Sequence, residues 1–219
     1  MARKHINIRN DIYSLYQSSI FDRLFLFLRS FVFDCTCIAE HIPLKAKILD
    51  IGCGYGILSN YLALSDPDSY VKGIDIDASR ISKAVQTIGT RKNIDFEVGD
   101  FMNLDLGRFN AVVAIDLMHY FDFDQQDRII DKIGKALSSG NLFIFRQPDT
   151  APKWRYYWNY LHEFIMVGSA ITKTNSRKLF FRSSRDTVVI LNKAGFDVSI
   201  YPNTSIFPYS DTLFVCKKR

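Results

Sequence analysis

The stretch Ile48-Leu49-Asp50-Ile51-Gly52-Cys53-Gly54-Tyr55-Gly56-Ile57-Leu58 limits the folds open to this chain more than any other. An apolar run ends in a carboxylate, glycines follow on alternate positions, and a helix-forming segment, Leu58 to Leu64, begins at once. That order reads as a strand, a tight turn and a helix N-terminus. Glycine in the turn permits positive φ and lets a ligand lie directly against the backbone. The first N–H groups of the new helix then point at that ligand.

The spacing discriminates between two ligand classes. A dinucleotide fingerprint needs G-x-G-x-x-G, in which the last small residue lets helix and strand pack closely. Counting from Gly52, Gly54 is in place but Ile57 stands where the third glycine belongs. A carboxylate at Asp50 would repel a pyrophosphate but suits a ligand carrying an ammonium group. An ordinary glycine turn in another α/β protein is the plain alternative. As Asp-x-Gly-x-Gly-x-Gly, residues Asp50 to Gly56 resemble motif I of the class I S-adenosylmethionine-dependent methyltransferases. The resemblance extends from Ala46 to about Arg146, and more loosely over Val188–Lys217.

The rest of the chain has the matching alternation. Pro43 marks a boundary, after which strand runs are expected at Lys47–Ile51, Tyr70–Ile74, Ile94–Val98, Ala111–Ile115 and Leu142–Phe145. Helical segments are expected at Leu58–Leu64, Ser79–Ile88, Gln125–Leu137 and Arg185–Lys193, the last closed by Gly195. Alternation of this kind means a parallel sheet with helices on both faces. Strands at Asp197–Tyr201 and Thr212–Cys216 resemble the hairpin that ends the methyltransferase sheet. The fold expected is therefore α/β: a Rossmann-like, doubly wound, mostly parallel seven-stranded sheet with an antiparallel last strand. N-terminal helices (1–43) form a cover, and 44–219 is the methyltransferase domain, effectively one domain, with a helical substrate-cap insertion at 147–185. One departure is Leu137-Ser138-Ser139-Gly140-Asn141, where the family usually carries Lys-Pro-Gly-Gly; this turn lies at the far end of its strand from the cofactor.

In open α/β sheets the ligand sits beyond the carboxyl ends of the strands. The second strand ends at Asp75, 25 residues after Asp50, where an acid can accept hydrogen bonds from both ribose hydroxyls; dehydrogenases use the same device. Asp77 before Ala78-Ser79 reads as a helix N-cap. The third strand ends at Asp100 and Phe101, which the resemblance places near an adenine amino group and ring. The cofactor-binding set implied by the resemblance is Asp50, Gly52, Gly54, Gly56, Asp75, Ile76, Asp100, Phe101, Asp116 and Leu117, and the cofactor is S-adenosyl-L-methionine, leaving S-adenosyl-L-homocysteine. The loop after the fourth strand, Leu117 to Phe121, faces the methyl acceptor in that family. His119 is the candidate general base, since imidazole can take a proton near neutral pH, and Tyr120 is the weaker catalytic candidate. His119 shaping the pocket without proton transfer is the alternative. Tyr13 and Tyr16 could reach the pocket if the first helix folds over it; exposure on the lid surface is the plainer expectation for either one.

Two segments bear on the acceptor. Asn10–Ala39 reads as one or two helices, with a polar stripe too narrow for a helix that hides a single face. Burial against the sheet or a partner subunit, a lid over a greasy substrate, or a face on a membrane each fit. Residues 151–185 hold seven Lys/Arg and one acid, Glu163, a local balance of +6 against +5 for the whole chain. Trp154, Trp158, Tyr156, Tyr157, Tyr160, Phe164, Phe180 and Phe181 lie among them, and Trp154–Ala170 is helical in pattern. Basic residues among aromatics suit nucleic acid or a lipid interface, or the aromatics form a small core of their own. Leu161, Phe164, Ile165, Met166 and Val167 in the Trp154–Ala170 stretch favour a small, apolar or lipid-like acceptor, with peripheral membrane or acidic carrier-protein contact. Nucleic acid ranks behind these, a homodimer stays open, and an RNA methyltransferase or a non-catalytic S-adenosylmethionine-binding module are the alternative functions.

With 47% hydrophobic and 23% charged residues in 219, disorder is excluded. Cys35 and Cys37 are one residue apart, short of zinc spacing, so no metal site is expected. Met1–Asn10 is polar with no apolar run behind it, and charges interrupt Ile20–Ala39. Together with the lack of a disulfide framework, this points to the cytoplasm, with membrane-peripheral contact left open.

Overall fold

Strands buried on both faces need unbroken apolar runs rather than alternation, and two such runs occupy the middle of the sheet. In the computed structural model, which describes residues 3–16, 34–106, 109–155, 157–158, 161, 178–202 and 211–219, these are β1 (Lys47–Ile51) and β4 (Ala111–Ile115). Every residue of the pair except Lys47 is buried. The other strands are β2 (Tyr70–Asp75), β3 (Ile94–Val98), β5 (Leu142–Pro148), β6 (Phe196–Pro202) and β7 (Asp211–Lys218). The sheet order is β3-β2-β1-β4-β5-β7-β6. β2 runs parallel to β1 and β3, whereas β7 is antiparallel to both β5 and β6. The Rossmann-like seven-stranded sheet with an antiparallel last strand is the one expected from the sequence.

The helices are α1 (Cys35–Ala39), α2 (Ile57–Ser65), α3 (Ala78–Gln86), α4 (Phe123–Ala136) and α5 (Ser184–Lys193). Side chains cap most of their first turns, as orphan N–H groups require. Asp77 accepts from the Ser79 N–H at 2.9 Å, Asp122 and Gln125 form a capping box, and Ser183 accepts from the Asp186 N–H. α2 differs: it starts at Gly56, in left-handed conformation, with no side-chain cap.

By contact density the chain divides into two units, Met1–Leu104 with Phe109–Ala111, and Asp105–Arg108 with Val112–Arg219. In the first, Ile48, Leu49, Ile51, Leu62 and Ile74 are fully buried with Ile12 and Ile38, so the N-terminal arm and α1 belong to this core. The Lys4 N–H donates to the Ser65 carbonyl at 2.8 Å and the Arg3 guanidinium to the Ile42 carbonyl at 2.9 Å, fastening the arm. The second unit is built on phenylalanines. Phe143 stacks on Phe145 and Phe145 on Phe214, each at 4.8 Å between ring centres, because β5–β7 pairing sets Phe145 opposite Phe214. Each such ring stabilises by about 1.5–3 kcal/mol through burial.

Of the one or two helices expected over Asn10–Ala39, the described part shows Cys35–Ala39 as α-helix and only short non-α turns at the start. Ile8–Ile12 forms a π-helical turn, Tyr13–Leu15 a 3-10 turn, and Tyr16 is extended. Here Asn7 and Asp11 bind nearby backbone, with Asn10 N–H on the Asn7 side chain at 3.1 Å and Asn7 N–H on Asp11 at 2.8 Å. Such local bonds compete with regular helix. Residues 17–33 and 162–177, which hold most of the expected cover and cap helices, lie outside the described residues.

Candidate functional site

Gly52, Gly54 and Gly56 have φ of 70°, 55° and 77°, a conformation that side chains other than glycine rarely adopt. The turn hangs on β2: the Gly52 and Cys53 N–H groups both donate to the Ile74 carbonyl, at 2.8 and 3.1 Å. Asp75 completes it. One carboxylate oxygen accepts from the Gly54 N–H at 2.9 Å and the other from the Asp77 N–H at 2.8 Å. A carboxylate has about four acceptor positions, so Asp75 retains capacity for hydroxyls beyond these bonds. A side chain at Gly56 would meet the Phe96 ring at 2.5 Å, while one at Gly54 would meet nothing nearer than 3.9 Å. The turn is therefore tightly packed at Gly56, whereas a side chain at Gly54 would only reach ordinary contact with Arg80.

Asp50 is 2% exposed and accepts from the Ser59 hydroxyl at 2.6 Å, joining the end of β1 to the first turn of α2. The Cys53 thiol is held protonated, first by burial and then by the nearby carboxylates of Asp50 and Asp75. Ile76, next after Asp75, is 56% exposed, a large apolar side chain left open at a strand end. Asp100 caps the 3-10 turn Phe101–Asn103 through the Met102 N–H at 2.9 Å, and Phe101 is buried.

A polar network behind the turn has no clear sequence signal. Tyr16, buried on the N-terminal arm, donates to the Tyr55 carbonyl at 2.8 Å. Asn60 donates to the Gly56 carbonyl and the Thr87 hydroxyl, each at 2.8 Å, and approaches the Tyr16 hydroxyl at 3.3 Å. Arg91 donates to Asn60 at 2.6 Å. Burial raises the Tyr16 phenol well above its ordinary range and lowers the Arg91 guanidinium. Tyr16 is thus buried rather than exposed on a lid surface, and it holds the turn through the Tyr55 carbonyl.

In the second unit, Asp116 follows β4 at φ 54°, a conformation Asp adopts more readily than most residues. Its carboxylate receives Arg146 in bidentate fashion at 2.8 and 2.5 Å, and Asp211 lies 3.8 Å from the same guanidinium. Arg146 and Asp211 were not singled out from the sequence, because ion pairs between residues so far apart in the chain leave no periodic trace. Leu117 opens the 3-10 turn Met118–Tyr120. His119 is 1% exposed, with its ring 4.2 Å from that of Tyr120 and 5.6 Å from that of Phe181.

The returning end of the insertion closes on this turn. The Phe180 N–H donates to the His119 carbonyl at 2.9 Å, and Gln126 bridges the Phe121 and Phe180 carbonyls at 2.9 and 3.0 Å. Arg182 pairs with Asp127 at 2.5 Å and lies over the Phe123 ring at 5.0 Å. Asp149 accepts from the Ser184 hydroxyl and, at 3.2 Å, its N–H, joining the two ends of the insertion. Among the described residues no His/Cys/Asp/Glu group fit to hold a metal is found, and no helix is long and apolar enough to cross a membrane.

Known proteins resemble this chain in sequence and in fold. Residues 48–140 match the family described as a methyltransferase domain. The chain is 30% identical over 146 residues to a magnesium-protoporphyrin O-methyltransferase of Rhodobacter capsulatus, covering 66% of this chain and 56% of that protein. It is 22% identical over 129 residues to a malonyl-[acyl-carrier protein] O-methyltransferase of Legionella pneumophila, covering 57% of this chain and 45% of that one. The chain thus spans about half the length of these curated relatives. The fold matches that of the magnesium protoporphyrin IX methyltransferase from Synechocystis PCC 6803, solved with S-adenosylhomocysteine, at a TM-score of 0.67 and 16% identity, over 93% of this chain and 89% of that one. Glycine turn, sheet order and family match agree: residues 48–140 match a methyltransferase domain, and the fold is that of the class I S-adenosylmethionine-dependent methyltransferases.

Proposed function

We propose that the protein transfers the methyl group of S-adenosylmethionine to a small, apolar or lipid-like acceptor in the cytoplasm. The observation that carries this reading is the glycine turn itself, with three glycines at positive φ and the Gly54 N–H held by Asp75. Its residues fit the cofactor. Gly52, Gly54 and Gly56 let the backbone approach its amino-acid part, with Asp50 on the ammonium side; Asp75 takes the ribose hydroxyls. Ile76 offers an apolar surface to adenine, with Asp100 and Phe101 at the next strand end. When bound, the sulfonium supplies an electrophilic methyl group for in-line displacement by an acceptor O, N or C.

The second unit supplies the groups that act on the acceptor. Asp116 and Leu117 open the loop that carries His119, and Arg146 holds Asp116 in its unusual backbone conformation. The rings of Tyr120 and Phe181 keep water from the His119 imidazole, which takes the acceptor's proton. An apolar acceptor is supported by Phe123, Phe180 and Phe181 beside this loop, and a small acceptor group by the relatives, one named for a porphyrin and one for a carrier-bound malonyl group.

The test supplies methyl-tritiated S-adenosylmethionine and a cell extract to the purified protein, then separates lipids, nucleic acids and proteins. Label is expected in the organic-soluble fraction; label confined to nucleic acid would replace the acceptor class. His119→Gln should keep S-adenosylhomocysteine affinity and lower turnover by about 10²-fold. Full turnover in this variant would remove the proton-transfer role.

A further inference from the structure

The described part of the insertion carries an apolar stripe that no core covers. Trp154, Tyr157, Trp158 and Leu161 are 60%, 65%, 48% and 53% exposed. Residues 153–155, 157–158 and 161 are helical. Positions i, i+3, i+4 and i+7 fall on one face of a helix. This is the spacing of a buried helix, yet all four side chains meet solvent. A contiguous apolar face of this kind marks an interaction surface rather than random exposure.

Composition and charge narrow the partner. Tryptophan and tyrosine combine an apolar ring with a polar edge, so they settle at the headgroup level of a bilayer. Cations flank them: Lys153 is exposed, and the Arg155 guanidinium lies 5.2 Å from the Trp154 ring centre. The surrounding 151–185 carries +6, and the stripe is followed in sequence by Phe164, Ile165, Met166 and Val167. A single-strand nucleic-acid groove needs rings spaced to stack bases along a basic track, which an aliphatic continuation does not provide. The base of the insertion is fastened by the Asp149–Ser184 and Phe180–His119 bonds described above, so the stripe is attached to a fixed point.

We propose that this face docks the protein on an anionic lipid surface, with Trp154, Tyr157, Trp158 and Leu161 at headgroup depth and the basic residues on the lipid phosphates. The inference rests on this surface and does not depend on the methyl acceptor. Trp154 and Trp158 are the chain's two tryptophans, so tryptophan fluorescence reports on this face alone. The full chain is mixed with phosphatidylcholine vesicles, with and without phosphatidylglycerol. A blue shift and flotation are expected with the anionic vesicles and should decline as salt rises. Lys153→Glu with Arg155→Glu should weaken that association by about tenfold or more. Trp158→Asp with Leu161→Asp should abolish it while S-adenosylhomocysteine binding, measured in parallel, stays at the parent value. Absence of shift and flotation, equal binding to uncharged vesicles, or a fluorescence response to single-stranded RNA in place of vesicles would each overturn the proposal.

Discussion

At Gly56 a single methyl group decides whether the turn fits. Alanine there would keep a φ of 77° and place its Cβ 2.5 Å from the Phe96 ring, which is itself buried. Strain and overpacking together should cost about 1–3 kcal/mol, read as a lower urea midpoint for Gly56→Ala. Adding Phe96→Leu should recover part of the loss, and an unchanged midpoint in the single variant would refute this packing. Residues of this kind are legible in a sequence because they lie close together in one motif. Asp75 was legible in place but only half in role: its bonds to the Gly54 and Asp77 N–H groups became visible once the turn was folded. Tyr16, Asn60, Arg146 and Asp211 act through partners far along the chain, and neither residue type nor local period marks such partners.

At the scale of elements, the insertion is tied at its base by specific polar bonds. Arg182 is 9% exposed and holds Asp127, the Phe123 carbonyl and the Phe123 ring, whereas Asp127 is half exposed. The ion pair alone therefore contributes about 1 kcal/mol or less. Arg182→Ala should loosen the returning segment, giving roughly tenfold faster proteolysis within 150–183 and a raised acceptor KM, with cofactor affinity unchanged. Cleavage at the parent rate would show that the tie is dispensable. Strands and helices of the sheet followed the expected boundaries to within about three residues, because burial on two faces imposes long apolar runs. At the start of the N-terminal arm short non-α turns replace regular helix, because Asn7 and Asp11 compete locally for the backbone.

For the molecule as a whole, acid stability has an identifiable contributor. Burial works to raise the Asp66 carboxyl, but hydrogen bonds from the Ser69 hydroxyl and the Lys45 and Asp68 N–H groups, with the Arg3 charge, bring it below the ordinary range. A depressed folded-state value contributes stability that is fully present above the unfolded value of about 3.9. That contribution is lost as pH falls through the lower folded value. Asp66→Asn should therefore lower Tm at neutral pH, and the gap from the parent should close as the pH falls below about 4; a gap independent of pH would exclude this carboxylate as the source. The proposed activity depends most on the turn at Gly52–Gly56 binding its cofactor, and titration calorimetry of the full chain with S-adenosylhomocysteine measures this directly. One-to-one binding is predicted, weakened by more than about tenfold in Asp75→Ala, which loses the ribose acceptor and the support of Gly54. No binding of S-adenosylhomocysteine or S-adenosylmethionine, or an unchanged affinity in Asp75→Ala, would contradict it.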